Sequence, residues 1–341
     1  MKTTKFFKAS LAALLTIAMA ACGTDTSEGT ASAGTTDAEE TTVYKVAIVK
    51  QLDHASLDEI ANAIAAEFDV LAAENGVVIE YGDIYSGQND QTTLQQIGSQ
   101  AIADNVDVIV PIATLAAQTM TAAASDTETP VVYAAISDPE AAELTGISYV
   151  SGTSDALNTP LIMDMILAQN PDVKTVGLLY SKSEANSERP IAEAKEYLDA
   201  KGISYVEDNG NTNDEVIQAA SSLIGQNVDE IFTPTDNVIM AEELAIAPMF
   251  AEAGIPHFTG ADSFVRNGAY TTCGVNYTEL GTKTADLAFE AITKGISGLD
   301  DYYLMDGGIV TVNTETAEAL GLDYDALKAF GELVEVITTE D

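Results

Sequence analysis

The segment Ile231–Met240 reads IFTPTDNVIM, and it contains the pattern that decides the fold. An apolar run ends at Pro234, the polar residues Thr235, Asp236 and Asn237 follow, and a helical pattern begins directly after them. A buried strand followed by a helix is the repeating unit of parallel α/β sheets. Asp236 can cap the helix by accepting backbone hydrogen bonds, or it can hold the ammonium group of a ligand. One copy of the pattern does not decide between these roles.

The same alternation of short apolar runs and Ala-rich helical stretches extends on both sides of this segment. It begins at YKVAIV (44–49), recurs at VDVIVPI (106–112) and PVVYAAI (130–136), and resumes after about residue 150 at TVGLLY (175–180). Continuous apolar strands separated by helices predict parallel sheets with helices on both faces. Because about 300 residues exceed what one hydrophobic core usually holds, the sequence predicts two α/β lobes.

The first residues, MKTTKFFKASLAALLTIAMAAC, predict a signal peptide over residues 1–21. Three lysines precede an apolar run that is too short to span a bilayer, and Cys22 directly after Ala-Ala favours lipid attachment over plain secretion. Residues 22–42 are mostly small, hydroxylated or acidic, and predict a flexible linker. We therefore expect a lipid-anchored protein on the extracellular face of a bacterial cell membrane.

The charge and the short list of reactive side chains exclude several functions. A formal net charge of −40 leaves no basic patch for a nucleic acid partner. The two histidines, His54 and His257, form no zinc-spaced cluster with cysteine, and no phosphate-binding glycine loop or G-x-S-x-G motif occurs. The sequence does not exclude a Ser-His-Asp triad, since the members of a triad come together only in the folded structure, but neither histidine has a recognised catalytic setting. We expect a binding protein rather than an enzyme, without metal or cofactor.

Candidate ligand-binding residues follow the predicted strands, because ligands of open parallel sheets bind at the carboxyl ends of the strands. The candidates are Gln51, Tyr85, Thr114, Ser137, Asp138, Ser183, Glu184, Asn186, Ser187, Asp236, Asn237 and Asp262. With only two arginines in the chain, a ligand carboxylate would rely on hydroxyls, backbone N–H groups and helix N-termini, and a ligand ammonium on Asp236 or Glu184. Such a ligand is an amino acid. Helix capping or turn formation alone also explains many of these residues.

Eight stretches of the chain together carry a resemblance to a known family. They are HASLDEI from His54, NDQTT from Asn89, IATLAAQ from Ile112, AISDP from Ala135, SGTSDAL from Ser151, YSKSEANS from Tyr180, PTDNVIM from Pro234 and GVNYTELGTKTADLA from Gly274. The chain resembles the ABC-transporter substrate-binding lipoproteins of the tryptophan/tyrosine-binding type, which have the two-lobed type I periplasmic-binding-protein fold. It departs from the family pattern at Lys50, where Gln is frequent, at Ala55, where Pro is usual, and in a shorter segment around residues 143–152.

The resemblance implies a ligand enclosed in the cleft between two lobes joined by a hinge of three crossovers. The implied lobes are residues 43–152 plus 274–304 and residues 153–273 plus 305–341. Asp236 would face the ammonium group of the ligand. Asn186 and nearby backbone amides would hold the ligand carboxylate, and the first lobe would contact the ligand side chain. We expect a monomer that delivers an aromatic or large apolar amino acid to an ABC permease. A sugar, nucleoside or other metabolite on the same fold, a sensor ectodomain and an extracellular hydrolase are the alternatives.

Overall fold

Strands and helices alternate along residues 41–339, the part of the chain that the computed structural model describes. The predicted signal peptide, Cys22 and nearly all of the predicted linker lie outside these residues. The strands are β1 (Val43–Lys50), β2 (Val78–Glu80), β3 (Tyr85–Ser86), β4 (Val108–Ile112), β5 (Val131–Tyr133), β6 (Val150–Ser154), β7 (Thr175–Tyr180), β8 (Ser204–Asn209), β9 (Glu230–Thr233), β10 (His257–Thr259), β11 (Thr271–Gly274), β12 (Tyr303–Leu304), β13 (Ile309–Asn313) and β14 (Glu332–Val336).

The helices separate the strands in the predicted alternation. They are α1 (Ala55–Asn75), α2 (Gln91–Ala103), α3 (Thr114–Ala124), α4 (Thr159–Gln169), α5 (Ala185–Lys201), α6 (Asn213–Gly225), α7 (Asn237–Met240), α8 (Glu243–Ala253), α9 (Asp262–Arg266), α10 (Tyr277–Lys294) and α11 (Thr314–Leu320). Helix α1 ends where Gly76 takes the left-handed conformation, at φ 66°, which glycine adopts without a steric penalty.

The strands form two sheets. The first has the order β12-β6-β5-β4-β1-β2, with β3 also paired to β1, and its pairs are parallel. The second has the order β14-β13-β11-β10-β9-β7-β8 and contains one antiparallel pair, β11 with β13. The predicted α/β fold with two lobes and parallel sheets flanked by helices is confirmed.

The chain crosses between the two sheets three times. It leaves the first sheet after β6, returns through α10 after β11, and leaves again after β12. Helix α10 belongs with the first lobe because it packs along α1. The three connecting segments, residues 155–158, 275–276 and 305–308, are short, and all three line one common pocket between the lobes.

Strand β1 shows why the core strands are apolar without interruption. Val46 and Ile48 pack into the apolar cluster that contains α1 and α10, whereas Ala47 and Val49 pack into the cluster that contains α2 and α3. Successive side chains of a strand point to opposite faces, so a strand covered by helices on both sides needs apolar residues at every position. The same construction places the carboxyl ends of the parallel strands at the cleft between the lobes, whereas β13 and β14 run in the opposite direction.

Within residues 41–339, no helix is both long and apolar enough to cross a membrane.

Candidate functional site

A cavity lies where the strand ends of the two lobes meet. From the first lobe and the first crossover it is lined by His54, Ser56, Leu57, Ile60, Ala113, Thr114, Ala135, Ser137, Asp155 and Tyr277. From the second lobe it is lined by Asn186, Thr235, Asp236, Asn237, Met240, Ala261 and Phe264. Both lobes therefore contribute polar and apolar groups.

The N-terminus of helix α3 forms one polar part of the wall. Ala113 precedes the helix with φ 73° and ψ 163°, a conformation that non-glycine residues rarely adopt, and it provides no side-chain cap. Ala135, which follows the neighbouring strand, also has a positive φ of 57°. Backbone strain of this kind persists where the surrounding structure enforces it and is common at ligand sites. Here it brings the first turn of helix α3, with Thr114, to the cavity wall.

One chain of hydrogen bonds crosses the cleft beside this helix. The Leu115 backbone N–H donates to Gln51 Oε1 over 3.0 Å, and Gln51 Nε2 donates to Glu184 Oε1 of the second lobe over 2.8 Å. The other carboxylate oxygen of Glu184 accepts from Asn237 Nδ2 at 2.6 Å, and Asn237 Oδ1 lies 3.0 Å from His54 Nε2 of the first lobe. Burial, followed by the charge of Asp236, raises the pKa of Glu184.

A second chain of hydrogen bonds crosses the cleft near the crossovers. The Ser137 hydroxyl donates to Asp155 Oδ1 over 2.9 Å, and the Tyr277 hydroxyl donates to Asp155 Oδ2 over 3.2 Å. Thr235 Oγ1 of the second lobe lies 2.9 Å from the same Ser137 hydroxyl, and the Thr235 carbonyl accepts from Asn186 Nδ2 over 2.6 Å. The contact between Ser137 and Thr235 thus connects the first lobe to the second, and Ser137 also holds Asp155.

Three acceptor groups in the wall stay incompletely paired. Asn186 Oδ1 and His54 Nδ1 are buried and make no hydrogen bond among the residues that the structure describes. Asp155 is buried, its carboxylate accepts from the hydroxyls of Ser137 and Tyr277, and no described salt bridge gives it a cation. Burial raises the pKa of Asp155, because a buried carboxylate without a counter-charge is costly to ionise.

The rest of the wall is apolar and partly aromatic. Leu57 and Ile60 from α1 face Met240 and Phe264 from the second lobe, and all four are buried. The ring of Tyr277, at the start of α10, completes this wall. An apolar side chain enclosed here would be removed from water, which is the main favourable contribution to binding in such pockets.

Asp236 has the capping role that the opening sequence pattern allowed. Its Oδ1 accepts from the backbone N–H groups of Val238 and Ile239, both over 3.0 Å. Its Oδ2 accepts from the Ser181 N–H and the Ser187 hydroxyl, both over 2.7 Å. The side chain is fully buried and lines the cavity, but its two oxygens are already occupied by four donors.

The structure divides the candidates from the sequence into three groups. Lining the cavity are Thr114, Ser137, Asn186, Asp236 and Asn237. Three candidates lie behind this wall and are hydrogen-bonded to one another or to lining residues: Gln51, Glu184 and Ser187. Ser183 is hydrogen-bonded to Ser181 next to them. Away from the cavity lie Tyr85, Asp138 and Asp262: Tyr85 is 38% exposed, Asp138 pairs with Arg189, and Asp262 pairs with Arg266.

Several lining residues were not among the candidates. Asp155 directly follows β6, so the rule of polar residues after strands already contained the signal for it. His54 was expected in the first loop with no assigned role. Tyr277, Phe264 and Met240 carried no signal, because apolar and aromatic residues on helices are usually core residues. Within residues 41–339, no cluster of His, Cys, Asp and Glu with the geometry of a metal site occurs.

Fold and site together define a two-lobed ligand-binding protein that closes over its ligand at the strand ends. Residues 45–327 match the family model for "ABC transporter substrate binding protein", and the chain belongs to this family. The family consists of solute-binding proteins rather than enzymes, and substrate-binding proteins of ABC importers face the extracellular or periplasmic side.

Three relatives place the chain within that family. It is 30% identical over 282 residues to the tyrosine-binding protein of Clostridioides difficile, covering 81% of each chain. It is similar to the ABC domain from Streptococcus pneumonia solved in complex with L-Trp, with a TM-score of 0.75, 26% identity and coverage of 85% of this chain and 100% of that one. A ligand-free, open substrate-binding protein with adhesive properties from Clostridium difficile gives a TM-score of 0.63, 29% identity and coverage of 87% and 100%.

Proposed function

We propose that this protein captures an aromatic amino acid, tyrosine or tryptophan, between its lobes and delivers it to an ABC permease. The observation that carries the proposal is the cavity, where the N-terminus of helix α3, buried acceptors without a cation and an apolar, aromatic wall surround one space. These are the partners of a carboxylate, an ammonium group and an aromatic side chain. The names of two relatives, one tyrosine-binding and one bound to L-Trp, support the same ligand class.

Closure of the cleft supports a ligand-bound arrangement. The chain is more similar in structure to the L-Trp complex than to the open, ligand-free relative, although its sequence is slightly closer to the open one. Hydrogen bonds from both lobes meet around the cavity. A ligand that contacts both lobes stabilises the closed state by its differential affinity for that state.

The ammonium group is assigned to Asp155 and Asn186. The sequence placed it at Asp236, but the oxygens of Asp236 already accept four hydrogen bonds. Asp155 has a buried carboxylate without a counter-charge, and Asn186 has a free Oδ1 acceptor because its Nδ2 is bonded to Thr235. An ammonium group at this point would supply the missing positive charge and up to three N–H donors.

The ligand carboxylate is assigned to the start of helix α3. The first N–H groups of a helix lack internal partners and carry a partial positive charge, so they bind anions. The Leu115 N–H is already bonded to Gln51 Oε1, so the donors at that point are the Thr114 hydroxyl and the other N–H groups of the first turn. This assignment moves the carboxylate from Asn186, where the sequence placed it, to the first lobe, and it leaves Leu57, Ile60, Met240 and Phe264 to enclose the side chain.

Isothermal titration calorimetry of the purified protein with the amino acids, a sugar panel and a nucleoside panel tests this proposal. We expect tyrosine or tryptophan to bind most tightly, and Asp155→Asn to weaken either by at least about 100-fold, because a buried charge would lose its partner. Glu230→Gln, an equivalent change of a buried carboxylate outside the cavity, is the matched control and should leave the affinity unchanged.

A ligand analogue sharpens the assignment of Asp155. 3-(4-Hydroxyphenyl)propionate lacks the ammonium group of tyrosine, so it should bind weakly to the wild type and no more weakly to Asp155→Asn. Binding of a sugar or nucleoside alone would refute the ligand class. Tyrosine affinity unaffected by Asp155→Asn would refute the ammonium site and leave the ligand class standing.

Anchoring to the membrane is part of the proposal. The sequence supports cleavage of residues 1–21, diacylglycerol attachment at Cys22 and a flexible linker that keeps a monomeric binding domain near its permease. Cys22→Ala should move the protein from the membrane fraction to the medium or periplasm, as followed by immunoblotting. A Cys22→Ala protein that stays in the washed membrane fraction would contradict lipid anchoring at this residue.

A further inference from the structure

The hydrogen-bond chain beside α3 has a direction that begins at a backbone N–H. The Leu115 N–H can only donate, so Gln51 presents its Oε1 to it. The amide of Gln51 must then turn its Nε2 towards the second lobe, where it donates to Glu184 Oε1 over 2.8 Å and to Asn89 Oδ1 over 2.9 Å. Glu184 is therefore an acceptor on this side.

The same direction continues to His54. Asn237 Nδ2 lies 2.6 Å from the second oxygen of Glu184 and donates to it, which leaves Asn237 Oδ1 facing His54 Nε2 at 3.0 Å. A carbonyl oxygen can only accept, so Nε2 carries the proton. Burial lowers the pKa of His54, which favours the neutral ring. In this tautomer Nδ1 is a lone-pair acceptor.

That acceptor has no partner within the described residues. His54 precedes α1 at the capping position, but its side chain makes no capping hydrogen bond, so helix capping does not account for the ring. Nδ1 is buried, unbonded and belongs to a side chain that lines the cavity. A buried acceptor without a donor is unfavourable, so a donor on a ligand in the cavity would satisfy it.

We propose that His54 Nδ1 accepts a hydrogen bond from the ring of the ligand, the phenol O–H of tyrosine or the indole N–H of tryptophan. This inference rests on the proposed function, which assigns the ammonium group to Asp155 and Asn186 in the other hydrogen-bond chain. Phenylalanine has the same shape without a donor and would leave Nδ1 unpaired. His54 is thus the residue that distinguishes a ring with a donor from a plain phenyl ring.

Two substitutions separate the functions of the two ring nitrogens. In His54→Gln the side-chain amide can keep the contact to Asn237 but provides no acceptor at the place of Nδ1. In His54→Asn the Oδ1 atom takes the place of Nδ1, while the contact to Asn237 is lost. Dissociation constants for L-tyrosine and L-phenylalanine are measured by calorimetry for the wild type and both variants.

The expected readout is the ratio of the two dissociation constants. The wild type should prefer tyrosine by about 10- to 100-fold, the range for leaving one buried polar group unpaired. His54→Gln should bring the ratio close to one, mainly by weakening tyrosine. His54→Asn should weaken both ligands and keep the preference.

The outcomes separate this inference from the proposed function. A wild type that binds tyrosine and phenylalanine equally overturns the role of His54 and leaves the proposed function standing. An unchanged ratio in His54→Gln, including equal weakening of both ligands, also overturns the role of His54. In that case Nδ1 would contact either a group common to all amino acids or no part of the ligand. A wild type that binds no aromatic amino acid refutes the proposed function itself.

Discussion

Arg189 Nε lies 2.8 Å from Asp138 Oδ2, and this ion pair joins helix α5 of the second lobe to the segment after β5 of the first lobe. Arg189 Nη2 also donates to the Ser137 carbonyl over 3.0 Å, and the Ser137 hydroxyl donates to Asp155. The arginine therefore makes contacts that bridge the two lobes, and it holds the segment that orients the proposed ammonium site.

Removing this ion pair should weaken ligand binding without loosening the fold. We expect Arg189→Ala to raise the dissociation constant for tyrosine by roughly three- to tenfold, because a partly exposed ion pair and one hydrogen bond contribute little more. The change should appear mainly as faster dissociation in stopped-flow fluorescence, since the contact stabilises the closed state.

Lys195→Ala is the matched control for that experiment. Lys195 lies on the same helix and pairs with Glu207 at 2.5 Å, but both residues belong to the second lobe. Its loss should leave the dissociation rate unchanged. Equal effects of the two substitutions would show that Arg189 acts on the second lobe alone and not on closure.

Substitutions should show that Asp155 is a ligand-binding carboxylate and that Asp236 is a structural one. Asp236→Ala removes the acceptor of four hydrogen bonds, so it should lower the unfolding free energy of the ligand-free protein by about 2–4 kcal/mol. Asp155→Asn should change the unfolding free energy by less than about 1 kcal/mol, because the substitution removes a buried charge that has no cation as a partner. Denaturant unfolding measures both.

The reverse result would restore the assignment made from the sequence. If Asp236→Ala left the ligand-free protein as stable as the wild type but abolished binding of tyrosine, Asp236 would be the partner of the ligand ammonium, and the capping hydrogen bonds would have little energetic weight.

Glu230 should make the stability of the second lobe depend on pH. It is buried at the start of β9, one oxygen accepts from Asn170, and burial raises its pKa to about 8. The folded state therefore binds a proton that the unfolded state releases near pH 4.5, and this contribution to stability is lost as the pH rises through 8. The melting temperature of Glu230→Gln should exceed that of the wild type by several degrees at pH 8.5 and approach it at pH 5.

Glu318→Gln, at an exposed position of α11, provides the comparison for that pH series. Its melting temperature should differ from that of the wild type by the same small amount at both pH values. A constant difference for Glu230→Gln as well would mean that Glu230 is ionised in the folded protein at pH 5.

Local patterns predicted the parts of the site that lie next to a strand. Thr114, Ser137, Asn186 and Asn237 each follow a buried strand closely, and the carboxyl ends of parallel strands meet at one edge of a sheet. The same rule included Tyr85, which is exposed instead. Position after a strand places a residue at the correct edge, but the direction of its side chain depends on neighbouring elements.

Contacts between distant parts of the chain decided the roles within the site. Asp155 is bonded to Tyr277 across the crossovers, and Asp236 is bonded to Ser181 and Ser187 in another strand–helix unit. Which carboxylate keeps a free lone pair depends on how many donors the fold brings to it. No local pattern contains that count.

By itself, the sequence determined the two parallel α/β lobes, the edge where we propose that a ligand binds and the family, because strand and helix patterns and strand-end loops are properties of neighbouring residues. Only the tertiary structure decided that Asp236 is a cap, that Asp155 lacks a cation and that His54 has a fixed tautomer. Those properties depend on hydrogen bonds between residues far apart in the chain, which exist only after the two lobes have folded and closed on each other.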